Sequence, residues 1–328
     1  MTALALLIAL AADRWWGEPP VRLHPVVWMG NYLGWATRHV QRRTQQATQG
    51  CPDYKAFWLG ALAWCAGAAM VLIVAVVLQA GVLVVLNALP SWVGALLAVV
   101  LLGFLLKPLL AWAMLKREVL AVEQALHPAQ GGSLSAGRER LSWLVSRDTT
   151  QLTESQVRES AIESLAENLN DSVVAPLFWF VLLGLPGAAV YRFANTADAM
   201  WGYRGVYKGH NWEWAGKWAA WADDVLSWLP ARLTGVLLAL VSGALHWGAL
   251  RTEAGRTPSP NSGWPMAAMA QGLGVCLQKP GVYVLNASGR APLHQDTHQA
   301  IFYASKVVLA LVVIAQAAII LIAIWRFT

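Results

Sequence analysis

Charged residues are scarce in this chain, and long stretches have none at all. Asp, Glu, Lys and Arg make up 13% of the 328 residues, against roughly 25% in a typical soluble domain. Four stretches lack them completely: 56–106, 172–191, 233–250 and 307–325. A transmembrane helix needs about 20 apolar residues. One such run could be a buried helix of a soluble protein, but several of membrane length predict an all-α, polytopic integral membrane protein.

Cysteine is also rare, and the common cofactor motifs are missing. The three cysteines are far apart and Cys65 lies in an apolar run, so neither a disulfide framework nor a CxxC metal site is expected. The seven histidines are scattered, and a zinc site is not expected. The sequence has no GxxxxGK[ST] phosphate loop. The net charge of +6 fits basic residues that flank apolar runs, and no nucleic-acid partner is expected.

The apolar stretches give an organisation for the whole chain, which we interpret as one membrane-embedded domain over residues 1–328. Besides the transmembrane helices, it is expected to contain extramembrane helices. The parts are a helical hairpin of two spans at 56–115, extramembrane acidic helices at 116–172, a broken apolar helix, a polar Trp-rich loop and an apolar helix within 173–250, a polar loop at 251–303, and a C-terminal span at 304–326.

The apolar segment 173–193 is interrupted by Pro176 and by Gly184-Leu185-Pro186-Gly187. A simple span would place its two polar flanks on opposite sides of the membrane. A broken or re-entrant helix would keep them together, and non-helical backbone is tolerated at membrane depth where it lines a cavity. We favour the broken, re-entrant interpretation because both flanks are rich in polar residues.

Carboxylates recur every four residues before this segment. They are Glu159, Glu163, Glu167 and Asp171. Each step advances about 400° around a helix, so the four share one slowly drifting face. Like charges at this spacing repel by roughly 0.2–0.5 kcal/mol per pair. The pattern indicates a cation or basic partner opposite them, or alternatively a solvated acidic face. Thr153 and Gln156 predict a capping box at the start of this helix.

Several short motifs, taken in order, carry a family resemblance. They are Gly17-Glu18-Pro19-Pro20, His24-Pro25-Val26, Arg147-Asp148-Thr149, Glu163-Ser164-Leu165-Ala166-Glu167-Asn168 with Asp171, Ala175-Pro176-Leu177-Phe178, Tyr191-Arg192 with Asn195-Thr196 and Asp198, Gly202-Tyr203-Arg204, Asp223-Asp224, Pro230-Ala231-Arg232, and Ser259-Pro260-Asn261 with Met266-Ala267-Ala268-Met269-Ala270. In this order they resemble the CobD/CbiB family of adenosylcobinamide-phosphate synthases. Glu18 stands where that family usually has Asp.

The resemblance implies a multi-pass enzyme of the bacterial inner membrane that acts in cobalamin biosynthesis. Its reaction would be an amide ligation of adenosylcobyric acid with (R)-1-amino-2-propanol or its O-phosphate, with ATP as co-substrate and Mg²⁺ as cofactor. Its partners would be the corrinoid, the aminoalcohol phosphate, membrane lipid and other membrane proteins of the pathway. The expectation of ATP rests on the resemblance alone.

An amide ligation of this kind needs magnesium at phosphate oxygens, cations for developing charge, and a base for the amine proton. The expected magnesium ligands are Glu163, Glu167, Asp171 and Asp198. The expected catalytic residues are Glu163, Glu167, Asp198, Asp223 and Asp224. The expected substrate- or phosphate-binding residues are His24, Arg147, Asp148, Asn168, Asn195, Tyr203, Arg204 and Asn261.

Structural roles remain open for several of these residues. The arginines could bind lipid headgroups or form ion pairs, and one of the adjacent aspartates could merely solvate or cap a helix. Two other functions also remain open. A corrinoid or anion transporter is favoured by the broken helix with charges beside it. A non-catalytic membrane scaffold of the same fold is the second alternative.

Overall fold

The computed structural model describes residues 2–42, 52–127 and 131–327, and this part of the chain is mostly helical. Its α-helices are α1 Thr2–Trp16, α2 Pro25–Arg42, α3 Tyr54–Ala88, α4 Ser91–Leu106, α5 Trp112–Leu126, α6 Leu134–Leu141, α7 Glu154–Leu169, α8 Ala175–Trp201, α9 Lys217–Ser242, α10 Trp247–Ala254, α11 Gly263–Leu273 and α12 His294–Phe327. Two short antiparallel hairpins pair β1 Val206–Tyr207 with β2 His210–Asn211, and β3 Leu277–Lys279 with β4 Tyr283–Leu285.

Five helical segments of the described chain are long and apolar enough to cross a membrane. They are Tyr54–Ala88, Ser91–Leu126, Glu154–Trp201, Lys217–Ser242 and His294–Ala318. The first has a mean hydropathy of 2.9, and only 11% of its most apolar window is buried inside the protein. So exposed an apolar helix is suited to hydrocarbon rather than to water. The prediction of an all-α, multi-pass membrane protein is confirmed.

The chain divides into two compact units. The first comprises Met1–Leu110, Ala175–Leu226 and Leu321–Thr328, and the second comprises Ala111–Val174 and Ser227–Ile320. In the first unit, α3 packs against α2, α4 and α8, and α1 packs against α4. In the second, α7 packs against α5, α6, α11 and strand β3, while α11 also packs against α10.

Helix α8 is broken at Gly184, as the sequence predicts. Gly184 has φ 69° and ψ −156°, a backbone conformation that lies outside the helix and is essentially restricted to glycine. The break leaves backbone groups without helical partners. Gln79 of α3 satisfies one of them, because its Oε1 accepts a hydrogen bond from the Leu185 N–H at 2.8 Å. Whether the segment crosses the bilayer or re-enters it stays a prediction.

Helix α9 begins earlier than the sequence suggests. The uncharged run that predicts this helix covers 233–250, yet α9 starts at Lys217, within the expected Trp-rich loop, and contains Pro230. A proline inside a helix leaves the carbonyl four residues before it without a backbone donor. That carbonyl belongs to Leu226, and it accepts a hydrogen bond from Trp179 Nε1 at 3.0 Å. An indole donor thus compensates for the proline, which the sequence pattern does not reveal.

The prediction of a polar loop over 251–303 is wrong. This segment holds the end of α10, all of α11, the β3–β4 hairpin and the start of α12. Helix α11 is almost completely buried from Gly263 to Ala270. Its run of Met and Ala residues consists of strong helix formers. The helix is too short to be predicted as a transmembrane span, and the polar residues on both sides of it lower the mean hydropathy of the segment.

Candidate active site

A polar cavity of about 300 Å³ lies in the second unit. Its walls come from the segment 144–147, helix α7, the loop before α11, α11 itself and the β3–β4 hairpin. Its polar lining residues are Ser146, Arg147, Glu163, Ser164, Glu167, Asn168, Ser259, Ser262, Lys279 and Tyr283. Two carboxylates and two cations in one cavity can bind a ligand that carries charges of both signs.

Helix α7 positions both carboxylates. The predicted capping box is confirmed, since Gln156 N–H donates to Thr153 Oγ1 at 3.3 Å and Thr153 N–H donates to Gln156 Oε1 at 2.9 Å. This start fixes the helical register. Glu163 and Glu167 then lie one turn apart on the same face. Arg147, just before the helix, reaches the first of them.

The ion pair between Arg147 and Glu163 is the most informative contact in the cavity wall. Arg147 Nη2 donates to Glu163 Oε2 at 2.7 Å, and Glu163 is only 2% exposed. The other oxygen of this carboxylate, Oε1, and Arg147 Nη1 are both buried without a hydrogen-bond partner in the described structure. A buried polar group left unsatisfied costs about 1–3 kcal/mol. At the wall of a polar cavity, the missing partners can be water or a ligand.

Tyr283 brings a neutral hydroxyl to the same cavity. Burial raises the pKa of Tyr283 above its ordinary value, and the negative charge of Glu163, a hydrogen bond to that carboxylate and the negative charge of Glu167 raise it further. The hydroxyl therefore stays protonated and can act as a hydrogen-bond donor. In this structure it lies 3.8 Å from Met266 Sδ.

The acidic repeat is solvated over only part of its length, since Glu167 is exposed while its first two members are buried. Glu159 and Glu163 are buried, and Ser155 Oγ donates to Glu159 Oε1 at 3.2 Å. Beyond Leu169 the helix changes to a π turn at Asn170–Val174, which holds more residues per turn than an α-helix. Asp171, which accepts from Asn170 Nδ2 at 2.8 Å, is consequently not among the residues that line the cavity.

The predicted site residues that follow Gly184 in the chain, apart from Asn261, belong to the first unit. Asn195 and Asp198 lie on α8, Tyr203 and Arg204 follow it, and Asp223 and Asp224 lie on α9. Glu163 and Glu167 belong to the second unit.

Local contacts of these first-unit residues are well defined. Arg192 Nη1 donates to Asn195 Oδ1 at 3.4 Å, and the Tyr203 ring stacks on Tyr207 with 3.6 Å between centroids. Gly202 N–H donates to the Asp198 carbonyl at 2.7 Å. Arg204 and Asp224 interact electrostatically. A role in a shared site stays a prediction for all of them.

His24 belongs to an ionic cluster of the first unit. Its Nδ1 accepts from the Val26 N–H at 3.2 Å, so Nε2 carries the proton and donates to Glu18 Oε2 at 3.1 Å. Lys107 Nζ donates to the same Glu18 oxygen at 2.9 Å and lies 3.6 Å from Asp13 Oδ1. Burial works to raise the pKa of Glu18, but His24 and Lys107 hold it below its ordinary value. His24 is thus engaged in an intramolecular network.

Asp148 and Asn261 contact the protein rather than the cavity. The Thr150 N–H and hydroxyl donate to Asp148 Oδ1 at 2.9 and 2.8 Å and lower the pKa of this carboxyl. Asn261 Oδ1 accepts from Arg232 Nη1 at 3.0 Å. Neither residue lines the cavity, whereas Asn168 does, with its amide donating to the Ser164 carbonyl at 2.9 Å.

A magnesium ion in this cavity would have one or two carboxylate ligands and several waters rather than four carboxylates. Of the four expected ligands only Glu163 and Glu167 line it, and no cluster of three or more His, Cys, Asp or Glu side chains suited to a metal occurs among the described residues. Magnesium commonly keeps several waters and needs one or two carboxylates plus substrate phosphates. Glu163 and Glu167, the first with an unsatisfied oxygen, fit that requirement.

Part of the cavity wall comes from residues with no predicted role. Ser164 and Ser259 belong to the motifs, Ser262 follows the second of these motifs, and Lys279 and Tyr283 lie on the β3–β4 hairpin. Pro280-Gly281 between two short apolar runs is a recognisable hairpin turn. Nothing in that signal indicates that the hairpin faces an acidic helix.

Comparison with known proteins places the chain in one family. Residues 6–324 match the model described as "CobD/Cbib protein". The chain is 40% identical over 291 residues to the probable cobalamin biosynthesis protein CobD of Methanothermobacter thermautotrophicus, covering 85% of each chain. It is 39% identical over 308 residues to the cobalamin biosynthesis protein CobD of Chromobacterium violaceum, covering 92% of this chain and 91% of the relative.

A third relative is the probable cobalamin biosynthesis protein CobD of Thermococcus kodakarensis, which is 38% identical over 295 residues, with 90% and 88% of the two chains covered. No solved structure matches the chain. A family match over nearly the whole length, with relatives at this identity and coverage, shows that the chain belongs to the CobD/CbiB family.

Proposed function

We propose that this protein acts in cobalamin biosynthesis as an amide-forming ligase. It joins adenosylcobyric acid to (R)-1-amino-2-propanol or its O-phosphate and gives adenosylcobinamide or its phosphate, with ATP and Mg²⁺. Support comes from the family and from the printed names of the relatives. The observation that carries the site assignment is the buried Arg147–Glu163 pair, with an unsatisfied atom on each partner, in the wall of the polar cavity.

The reaction has two steps. A carboxylate oxygen of the corrinoid attacks the γ-phosphorus of ATP, ADP leaves, and an acyl phosphate forms. The amine nitrogen then attacks the acyl carbon, the carbon–oxygen bond to phosphate breaks, and inorganic phosphate leaves. The ammonium group of the aminoalcohol must lose a proton before attack and the nitrogen loses another after it. Magnesium, when bound, neutralises charge on the phosphate oxygens.

The residues of the cavity divide into two sets in this proposal. Glu163 and Glu167 bind the ammonium group, and one of them accepts the amine proton. The same two carboxylates would hold magnesium, with water as its other ligands. Arg147 and Lys279 bind the phosphate of the aminoalcohol, because guanidinium and ammonium groups match phosphate oxygens. Tyr283 remains protonated and donates to the ligand.

The size of the cavity favours the smaller substrate. Pockets for drug-sized ligands measure about 300–1,000 Å³, so a volume of about 300 Å³ suits an aminoalcohol phosphate better than a corrinoid. We propose that the corrinoid presents only its reacting carboxylate there. The protein would work in the bacterial inner membrane, with its active site on the cytoplasmic side where ATP is available, beside other membrane proteins of the pathway.

A transporter for corrinoids or other anions is the second candidate, and the break in α8 favours it. Discontinuous helices at membrane depth form substrate sites in many transporters, and Gly184 with Gln79 makes such a break here. Nine of the 18 acidic residues lie within 116–172, outside the uncharged runs, which favours the ligase.

The test is product formation by the detergent-purified protein. Adenosylcobyric acid, aminopropanol phosphate, ATP and magnesium are supplied together, and mass spectrometry detects the amide. Reactions without ATP or without magnesium test each requirement, and Asp198→Asn tests whether a first-unit carboxylate contributes. Product that requires ATP supports the ligase. Folded protein that yields no amide but takes up corrinoid into vesicles supports the transporter, and protein that does neither supports the scaffold.

A further inference from the structure

A large apolar cavity lies in the first unit, and none of the predicted site residues lines it. Its volume is about 520 Å³. Helices α2, α3 and α8, the end of α4 and the turn after it form its walls. Its lining, which lies within the described residues, contains no charged side chain. The lining residues are Leu23, Pro25, Trp28, Met29, Tyr32, Gly67, Met70, Val71, Val74, Ala75, Leu78, Phe104, Leu105, Pro108, Leu109, Leu185, Ala189 and Phe193.

Exposed residues of α3 line the cavity. Met70, Val74 and Leu78 line it and are each about half exposed. They belong to the helix that has the highest mean hydropathy among the five candidate spans and the least buried window. Around a membrane span this surface meets acyl chains, so hydrocarbon has direct access to the cavity.

Water is a poor occupant of such a space. The hydroxyl of Tyr32 already donates to the Ala63 carbonyl at 2.7 Å, and a buried water needs two to four polar partners. An apolar cavity of ~150 Å³ stays dry and takes up benzene. A volume of about 520 Å³ therefore suits a longer hydrocarbon chain.

A cationic residue lies at the edge of the cavity. The indole of Trp28 lines the cavity, and its Nε1 donates to the Arg22 carbonyl at 2.9 Å. Arg22 is exposed on a short 3₁₀ turn, next to the lining residue Leu23. Lys107 also adjoins the cavity in sequence, but it is buried and forms ion pairs with Glu18 and Asp13. Arg22 is thus an exposed cation whose backbone adjoins the cavity, and its side chain is available to an anionic headgroup.

We propose that this cavity is a specific binding site for a membrane glycerophospholipid. One acyl chain fills the space between α2, α3, α4 and α8, and Arg22 contacts the phosphate of a lipid with an anionic headgroup. The lipid replaces side-chain packing that these helices do not provide by themselves. It holds α8 next to its break at Gly184, since Leu185 and Ala189 line the same cavity.

The test measures phospholipid that stays bound after extensive washing in a phosphate-free detergent, by extraction and mass spectrometry. Val74→Trp fills the cavity from an exposed position, and Val77→Trp is its matched control. The two valines are 53% and 63% exposed on the same helix, and only Val74 lines the cavity. Both variants must elute as folded protein. Arg22→Gln tests the headgroup contact.

The expected result is retained phospholipid in the wild type and in Val77→Trp, with a several-fold loss in Val74→Trp. Arg22→Gln is expected to keep the lipid but to lose its preference for anionic headgroups. Equal retention in the two tryptophan variants would overturn the proposal. So would a wild type that retains only detergent or free fatty acid, and an unchanged headgroup preference in Arg22→Gln would overturn the phosphate contact.

Discussion

Arg147, which is partly exposed, and the buried carboxylate of Glu163 form an ion pair at 2.7 Å, and each partner keeps one buried atom without a hydrogen bond to the described residues. A structural ion pair of this burial normally satisfies both groups through additional hydrogen bonds. Here the remaining capacity lies at the wall of a polar cavity. The pair is therefore better suited to receive a charged ligand than to stabilise the fold alone.

Removal of one partner should leave the other charge buried and uncompensated. Arg147→Met is expected to lower the free energy of unfolding by roughly 3 kcal/mol, the lower end of the range for a broken buried pair, because Arg147 is partly exposed. Arg117→Met is the control, since the Arg117 side chain is 71% exposed. Thermal unfolding in detergent measures both. An equal effect of the two substitutions would contradict the importance of the pair.

Lys279 should determine whether the aminoalcohol must carry a phosphate. A hydrogen bond to a charged group contributes about 1.5–3 kcal/mol, so Lys279→Gln should raise KM for aminopropanol phosphate by about ten-fold or more. KM for unphosphorylated aminopropanol should not change. Lys306→Gln, on exposed surface of the same unit, is the control. An equal rise in KM for both substrates would indicate that Lys279 does not bind the phosphate.

The break in α8 should tolerate no side chain at position 184. Gly184 has φ 69° and ψ −156°, which costs about 1–3 kcal/mol for other residues, and a Cβ there would overlap the side chain of Gln79. Gly184→Ala should lower the unfolding temperature clearly, and Gly248→Ala, which has open space around it, should not. Gln79→Leu should cost about 1–3 kcal/mol because the Leu185 N–H loses its acceptor.

The ionic cluster around Glu18 should make the first unit sensitive to acid. The pKa of Glu18 is below its ordinary value of 4.5, so the folded state binds its proton more weakly than the unfolded state does. The stabilisation is therefore fully present above pH 4.5 and is lost as the pH falls through the lower folded pKa. Glu18→Gln should flatten the acid limb of a plot of unfolding temperature against pH. An unchanged limb would mean that the cluster contributes nothing.

The membrane helices were predictable because hydropathy and length decide them. The hairpin at 56–115, the capping box at Thr153 and the break at Gly184 follow from patterns of few residues. Helix α11 was not predictable from such a pattern, because its burial depends on packing against α7 and α10 rather than on its own sequence period. The early start of α9 was missed because an indole from Trp179 compensates for Pro230.

The sequence predicts the acidic residues of the candidate site, but it does not predict the lysine that lines the same cavity. Regular spacing identified Glu163 and Glu167, which do share a cavity. Spacing also suggested Asp171, but the π turn that begins at Asn170 changes the helical spacing, and Asp171 does not line the cavity. Lys279 lies more than 100 residues further along the chain, on a hairpin whose orientation only tertiary packing sets.

The most direct test of the account is single-turnover amide formation by wild type, Glu163→Gln and Glu139→Gln with all substrates saturating. Glu139 is an exposed acid of the same unit, so its substitution controls for loss of a negative charge. Full activity in Glu139→Gln with loss of amide formation in a folded Glu163→Gln would establish the polar cavity as the place where the bond is made. Wild-type rates in Glu163→Gln would contradict that assignment.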